Sequence, residues 1–383
     1  MTLEEVLAIA RSIAVETLRP RAAHVDEAAK YPRDNIAALQ RAGLGGLVIP
    51  ADAGGLGLGL YAVVRVCETL GAECASTAIS LGMHYVGSAV LAAKATDYQR
   101  SHYLEPIARG EHLTTLALSE PGTGVHFYLP ETKLARSDEG YVLTGEKSFV
   151  TSGGHADSYV MSAAPTRPDS APGEFSCVVV DANAPGLSWN GGWEGWGMRG
   201  NAASGARLAD VRVPAANLLG EEGDEIWYVF NVVAPFFLMA MSGTYLGIAT
   251  AAFEAARTHL CERRYSHTGG ELADNPILQH RIGEMWAELF RTRALLHEAA
   301  RMGDRGDPEA LPALCSAKAE IAVAAEHIAA QAMTLIGGRG YGEGHVLQRL
   351  YRDVRAAHVM APTTDLLRTW TGRAVLGRAL LGD

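Results

Sequence analysis

The chain has 383 residues, 48% of them hydrophobic and 20% charged, with a formal net charge of −10. That length holds two or three domains around a sizeable core, and the acidic balance excludes a general nucleic-acid binder, whose footprint is basic. The cysteines, Cys67, Cys74, Cys177, Cys261 and Cys315, are odd in number and form no CxxC pair, so they read as buried, reduced thiols in a cytoplasmic protein.

In chain order, the N-terminus has no basic start followed by an apolar run and does not read as a secretory signal. Leu3, Val6, Leu7, Ala10, Ile13, Ala14 and Leu18 fall on one face of a 3.6-residue helix, which predicts a docked helix. Helices follow over Asp34 to Ala42, stopped at Gly43, then Leu60 to Leu70 and Thr77 to Ala93. The Gly-rich Ala53-Gly54-Gly55-Leu56-Gly57 between them is a loop. It lacks the preceding strand, the following helix and the downstream acid that a dinucleotide fingerprint needs.

After residue 112 the pattern changes to short β-rich runs at Tyr141 to Thr144, Ser158 to Met161, Phe175 to Val180 and Ala206 to Val213. Asp-Glu-Gly, Pro-Asp-Ser and Asn-Gly-Gly turns separate them, so the region predicts an antiparallel β domain. Long helices return after residue 221. Asn275-Pro276 is an N-cap with proline at the first helical position, and Leu278, Ile282, Trp286, Leu289 and Leu296 recur on one face. Asp307-Pro308 opens an alanine-rich helix that stops at Gly337-Gly338. No window of about twenty residues is free of charge and polar breaks, so no membrane span is expected; the longest apolar stretch, Val229 to Ala240, contains Asn231 and Pro235. The fold class is α+β, mainly α: an N-terminal helical domain (1–112), a middle antiparallel β domain (113–221) and a C-terminal helical bundle (222–383). Clefts between such domains are where ligands bind.

The chain has no HExxH, GxSxG or GxxxxGK[ST] motif, which sets aside zinc peptidase, serine hydrolase and P-loop chemistry. Three combined motifs carry more: Leu118-Ser119-Glu120-Pro121-Gly122-Thr123-Gly124; Lys147-Ser148-Phe149-Val150-Thr151-Ser152-Gly153; and Gly337-Gly338-Arg339-Gly340-Tyr341, followed by Leu350-Tyr351-Arg352-Asp353 and Met360-Ala361-Pro362-Thr363-Thr364-Asp365. In this order they resemble the acyl-CoA dehydrogenase family of flavoproteins, over nearly the whole chain. The resemblance implies FAD as cofactor, a C-terminal four-helix bundle and a homotetramer or homodimer that shares FAD across subunits. It also implies an acyl thioester substrate, acyl-CoA or acyl-carrier protein, and an electron-transfer flavoprotein as a candidate partner.

Residue by residue, the resemblance assigns Leu116, Leu118 and Ser119 to the flavin ring edge, Phe149 to an aromatic cover over the ring, and Thr151 to a hydroxyl beside its reactive nitrogen. Taken singly, Ser119 and Thr151 are ordinary turn residues. Arg263 falls where the family has an arginine for the FAD pyrophosphate of a neighbouring subunit, a role suited to a forked guanidinium; the adjacent Arg264 competes for it. Gly337 and Gly338 allow close approach of a dinucleotide, and are also a plain helix C-cap. Thr334 stands where the family has glutamine, a loss that Gln331 is placed to make good. Thr363 and Asp365 match cofactor-side positions, and Asp365 also reads as a helix cap.

Departures concern the chemistry. An acyl-CoA dehydrogenase removes the α-proton of a thioester with a carboxylate base, but the usual position holds Ala361 and the alternative one, on the first long bundle helix, holds Phe237. The family's neighbouring arginine is Leu238, and Val125 replaces a serine that contacts the acyl carrier. These four are the implied substrate-side positions. Candidate substitutes for the base are His84, His126, Tyr245, His358 and Asp365. His126 stands first because it replaces an acid in the motif itself and histidine titrates near neutrality; a lone histidine is more often structural. The segment Trp189 to Trp196 reads as packing near the flavin or at a subunit contact. The expected function is FAD-dependent oxidoreduction of an acyl thioester or related small molecule in a specialised pathway, with a flavin monooxygenase, or a non-redox lyase, cyclase or binding subunit, as alternatives on the same fold.

Overall fold

The computed structural model describes residues 1–167, 169–171 and 173–381. Seven helices come first: α1 (Leu3–Ile13), α2 (Arg19–Glu27), α3 (Arg33–Arg41), α4 (Leu60–Gly71), α5 (Ala75–Ala93), α6 (Asp97–Gln99) and α7 (Glu105–Ala108). Thr2 and Glu5 close a capping box at the start of α1, and Val6, Leu7, Ala10, Ala14 and Leu18 are buried along the expected stripe. Gly43, with φ 79°, ends the turn after α3 in a left-handed conformation that favours glycine.

Eight strands follow: β1 (Thr114–Ala117), β2 (Lys133–Ser137), β3 (Gly140–Val150), β4 (Ser158–Pro165), β5 (Ser176–Asp181), β6 (Leu187–Asn190), β7 (Ser204–Pro214) and β8 (Leu218–Leu219). The sheet runs β6-β7-β3-β2-β4-β5-β8, with β1 beside β4. Most pairings are antiparallel, as expected, but β1 and β2 both run parallel to β4. This corrects a purely antiparallel reading. The parallel β1 is what delivers the 116–119 segment to the rim of the sheet, and α5 covers β1 and β4 from the N-terminal side.

The last third contains α8 (Glu225–Tyr228), α9 (Ala234–Glu262), α10 (Pro276–Asp304), α11 (Ala310–Ile336), α12 (Gly338–Tyr341), α13 (Val346–Val354), α14 (Ala356–Val359) and α15 (Thr364–Val375). Asn275 caps α10 by accepting from the Ile277 N–H at 2.9 Å. Close contact between α4 and α9 depends on small residues: a Cβ at Gly71 would lie 2.6 Å from the Thr244 carbonyl oxygen, and one at Gly247 would overlap Glu68 and Ala72.

Two apolar helical stretches, 225–262 and 310–336, are long and apolar enough to cross a membrane by composition, contrary to the expectation from sequence. They are core elements here, with 83% of the first window and 56% of the second buried against protein. Two further expectations change. Trp286 is 55% exposed and stacks on the exposed Phe290, because the apolar stripe of α10 is wider than the surface its neighbours cover. Cys261 is exposed at the end of α9, while the other four thiols are buried.

Candidate functional site

The ends of β1 and β3 are tied together. The Thr115 hydroxyl donates to the Thr151 carbonyl at 3.0 Å, and the Ser148 N–H donates to the Ser119 carbonyl at 2.8 Å. Below this seam a buried ion pair anchors the loop: the Glu120 carboxylate accepts from Lys147 Nζ, from the Glu131 N–H at 2.6 Å and from the Thr132 N–H at 3.0 Å. Lys147 also donates to the Ser162 carbonyl at 2.6 Å. Burial pulls the Lys147 pKa down, and the Glu120 charge opposes that shift.

The surface above the seam carries unpartnered polar groups. Neither the Ser119 nor the Thr151 hydroxyl has a protein partner among the described residues, although Thr151 is only 4% exposed. Phe149 holds a positive φ of 55°, costly for a bulky residue, and this lifts its ring into solvent, 68% exposed and edge-on to Trp193 at 6.2 Å. Leu116 is half-buried and Leu118 is buried behind them. Two free hydroxyls beside an uncovered aromatic ring suit a flat heteroaromatic ring system, and the flavin of FAD fits that description.

A second surface lies at the end of the bundle where α9 and α11 terminate. Arg264 is engaged by Glu271 at 2.6 Å and by the Gly269 carbonyl at 3.2 Å, whereas the exposed Arg263 side chain has no partner among the described residues. His259, one turn back, has its pKa lowered by burial and then by the charges of Arg339, Arg263 and His345, so basic groups converge here. Gly337 ends α11 with φ 70° and ψ −147°, and a Cβ on Gly337 or Gly338 would meet nothing within 4 Å. Gly337 is thus needed for its backbone angle, while Gly338 faces open space. A groove of about 450 Å³ adjoins them, lined by Ala330, Met333, Thr334, Gly337, Tyr341 and Tyr351.

A clamp joins the three parts of the chain. Arg352 of α13 pairs with Asp26 and donates to the Trp196 carbonyl at 2.9 Å, and the neighbouring Asp353 accepts from the Met198 N–H at 2.7 Å. Asp353 is wholly buried, which raises its pKa to about 6. Gly197 passes so close to α13 that a side chain there would overlap the Arg352 carbonyl.

Residues 2–111, 115–211 and 237–376 match the N-terminal, middle and C-terminal domains of acyl-CoA dehydrogenases. The chain belongs to the acyl-CoA dehydrogenase family. It is 29% identical to the cyclohex-1-ene-1-carbonyl-CoA dehydrogenase of Geobacter metallireducens, covering 97% of each chain. It is 26% identical to the short-chain-specific acyl-CoA dehydrogenase of Clostridium acetobutylicum, covering 95% of each. Among solved structures, butyryl-CoA dehydrogenase from Megasphaera elsdenii superposes with a TM-score of 0.92 at 24% identity, covering 98% of this chain and 99% of that one. PigA with FAD and proline gives 0.88 at 20% identity, covering 97% of each. Both structural likenesses are of fold.

The two positions that the resemblance assigns to the catalytic base hold apolar residues. Ala361 lies half-buried in the turn between α14 and α15, and Phe237 is half-buried on α9. Leu238 is 0% exposed and packs in the core along α9. Val125 is 37% exposed in the loop after the Ser119 motif. The candidate substitute bases are mostly committed elsewhere. His84 is buried, its Nδ1 facing the Thr114 backbone and its Nε2 the Gly45 carbonyl at 3.0 Å. Tyr245 is buried and donates to the Met360 sulfur at 3.3 Å, and burial drives its pKa far up. His358 contacts the Thr364 hydroxyl at 3.2 Å and Glu326 at 3.0 Å.

His126 is exposed, with Nδ1 2.9 Å from the Tyr128 hydroxyl. Tyr128 in turn packs against Phe230 and Trp370, so His126 rides on a loop docked to the bundle. Thr363 is the N-cap of α15, and its side chain makes no capping bond. Asp365 therefore lies inside the first helical turn, exposed, and does not cap it. Sequence reading missed the buried charges Lys318 and Glu225, which lie in stretches that look like ordinary amphipathic helix, and it singled out the motif of Asp353 without finding the clamp.

Proposed function

We propose that this protein is an FAD-dependent oxidoreductase acting on an acyl thioester, an acyl-CoA or an acyl-carrier-protein conjugate, in a specialised pathway. The observation that carries the reading is the surface of Ser119, Phe149 and Thr151, where two unpartnered hydroxyls flank an exposed aromatic ring held in strained backbone. Bound FAD would supply a hydride acceptor. Ser119 and Thr151 orient the ring through their hydroxyls, Phe149 shields one side from water, and backbone groups of Leu116 and Leu118 complete the edge. Arg263, Gly337 and Gly338, with Thr363 and Asp365 on the cofactor side, serve the dinucleotide of an adjoining subunit in a homotetramer or homodimer. Ala361, Phe237 and Val125 border the acyl group. An electron-transfer flavoprotein is the proposed electron acceptor, and the free thiols favour a cytoplasmic setting.

Titration of the flavin-stripped protein with FAD, followed by quenching of flavin fluorescence, tests the reading. One FAD per chain is expected, with affinity falling about fivefold to tenfold in Thr151→Val, the loss of roughly one net hydrogen bond. No uptake, or uptake indifferent to Thr151→Val and Ser119→Ala, contradicts it. One observation favours a second reading, oxygen chemistry on a reduced flavin: both base positions are apolar, and such a reaction needs no carboxylate. A flavin hydroperoxide absorbance after reduction and exposure to oxygen would mark it.

A further inference from the structure

The turn that carries Ala361 is gripped from beneath by a cation without a counter-ion. Lys318, in the middle of α11 and fully buried, donates to the carbonyl oxygens of Ala357 at 2.8 Å, Met360 at 3.2 Å and Pro362 at 2.9 Å. Two of these carbonyls flank Ala361, and three donors at once require the ammonium form. Lys318 makes no ion pair among the described residues, and burial alone pulls its pKa down to about 7. A buried charge with no opposite partner is costly. Around it, Tyr245 is bonded to Met360 and His358 to Thr364, with the Glu326 carboxylate 3.0 Å from His358 Nε2. The site thus presents an ammonium held by three backbone carbonyls, with no carboxylate paired to it among the described residues and no base at position 361 or 237.

We propose that the substrate brings the missing anion itself, as a carboxylate on the α carbon of the thioester, and that loss of carbon dioxide replaces the proton abstraction for which the chain has no base. This rests on the thioester reading above and names its substrate class: a 2-carboxyacyl, malonyl-type thioester. The bond between Cα and the carboxylate breaks, carbon dioxide leaves, and the bonding pair stays on Cα as the thioester enolate. No proton moves. Bound FAD would supply the acceptor for the β-hydrogen as hydride, and the product would then be the α,β-unsaturated thioester. One negative charge enters with the substrate and one leaves with the reduced cofactor. Lys318 is a positioning residue in this scheme. It holds the turn and places a positive field where the carboxylate, and then the enolate, resides. A unit charge at ~6 Å in an effective dielectric of ~20 favours an anion by roughly tenfold to a hundredfold.

Ethylmalonyl-CoA and butyryl-CoA differ only by the α-carboxylate, and their affinities for the full-length protein can be compared by calorimetry with the flavin reduced beforehand, which blocks hydride transfer. The expected result is that ethylmalonyl-CoA binds about tenfold or more tightly than butyryl-CoA, and that Lys318→Met abolishes the preference. Ala361→Glu, which sets a carboxylate above Lys318, abolishes it too and adds oxidation of butyryl-CoA; it decides the matter if Lys318→Met does not fold. With the flavin oxidised, carbon dioxide is released from ethylmalonyl-CoA. Equal affinities in the wild type, or a preference that survives Ala361→Glu, overturn the inference and leave the thioester reading in place. Binding of neither thioester overturns both, whereas a retained preference in a protein that holds no FAD overturns only the cofactor.

Discussion

Glu225 offers the sharpest test of the physical description around the flavin-side ion pair. It opens α8, is 0% exposed, and neither carboxyl oxygen has a hydrogen-bond partner among the described residues. Burial raises its pKa from 4.5 to about 8, with Lys147 pulling it down and Glu120 pushing it up. Because the folded-state value of this acid is raised, the sign is opposite to the usual carboxylate. The folded protein is favoured below pH 4.5, loses stability as pH rises through the interval to about 8, and levels off above it. At 1.36 kcal/mol per pH unit the full interval corresponds to roughly 5 kcal/mol, of which about 4 falls between pH 5 and pH 9. Glu225→Gln keeps the shape of the protonated acid and removes the titration. With an unfolding entropy near 2.1 cal/mol/K per residue, the variant should gain about 5 °C in Tm over the wild type on going from pH 5 to pH 9. Differential scanning calorimetry at both pH values reads this directly. A difference between variant and wild type that stays constant across that range would refute the assignment of Glu225 as a buried, neutral acid.

Three further outcomes are expected. Arg263→Ala should weaken FAD binding about tenfold or more in a fluorescence titration, while Arg264→Ala, whose guanidinium is held by Glu271, should change it less than about threefold. Gly197→Ala forces a methyl group into the Arg352 carbonyl and should cost about 2 kcal/mol or more in denaturant unfolding. Asp353→Ala leaves the buried Met198 N–H without its acceptor and should destabilise by about 1–3 kcal/mol, with Asp353→Asn recovering most of the loss.

Much of this architecture is legible in the sequence because local rules decide it. The Asn275 cap, the stop at Gly43 and the apolar stripe of α1 each follow from spacing and side-chain chemistry. Sheet partners do not: alternation reveals a strand but not its neighbour, so the parallel placement of β1 and β2 beside β4 is invisible until the chain is folded. Trp286 keeps helical period with its buried neighbours, yet lies beyond the surface that other elements cover. The site divides the same way. Ser119, Phe149 and Thr151 sit in short motifs and are found together on one surface. Lys318 and Glu225 read as solvent-facing charges on helices, and only tertiary packing makes them buried, one beneath Ala361 and one beside Lys147. Leu238, in register with a substrate-side position, turns inward because α9 is covered on most of its circumference.

The most direct measurement is anaerobic mixing of the FAD-loaded protein with acyl thioesters, ethylmalonyl-CoA and a series of simple acyl-CoAs and acyl-carrier proteins, while following the visible absorbance band of oxidised flavin. Loss of that band on addition of a thioester is the predicted result. A fully occupied flavin that stays oxidised against every thioester would contradict thioester oxidoreduction as the activity of this chain.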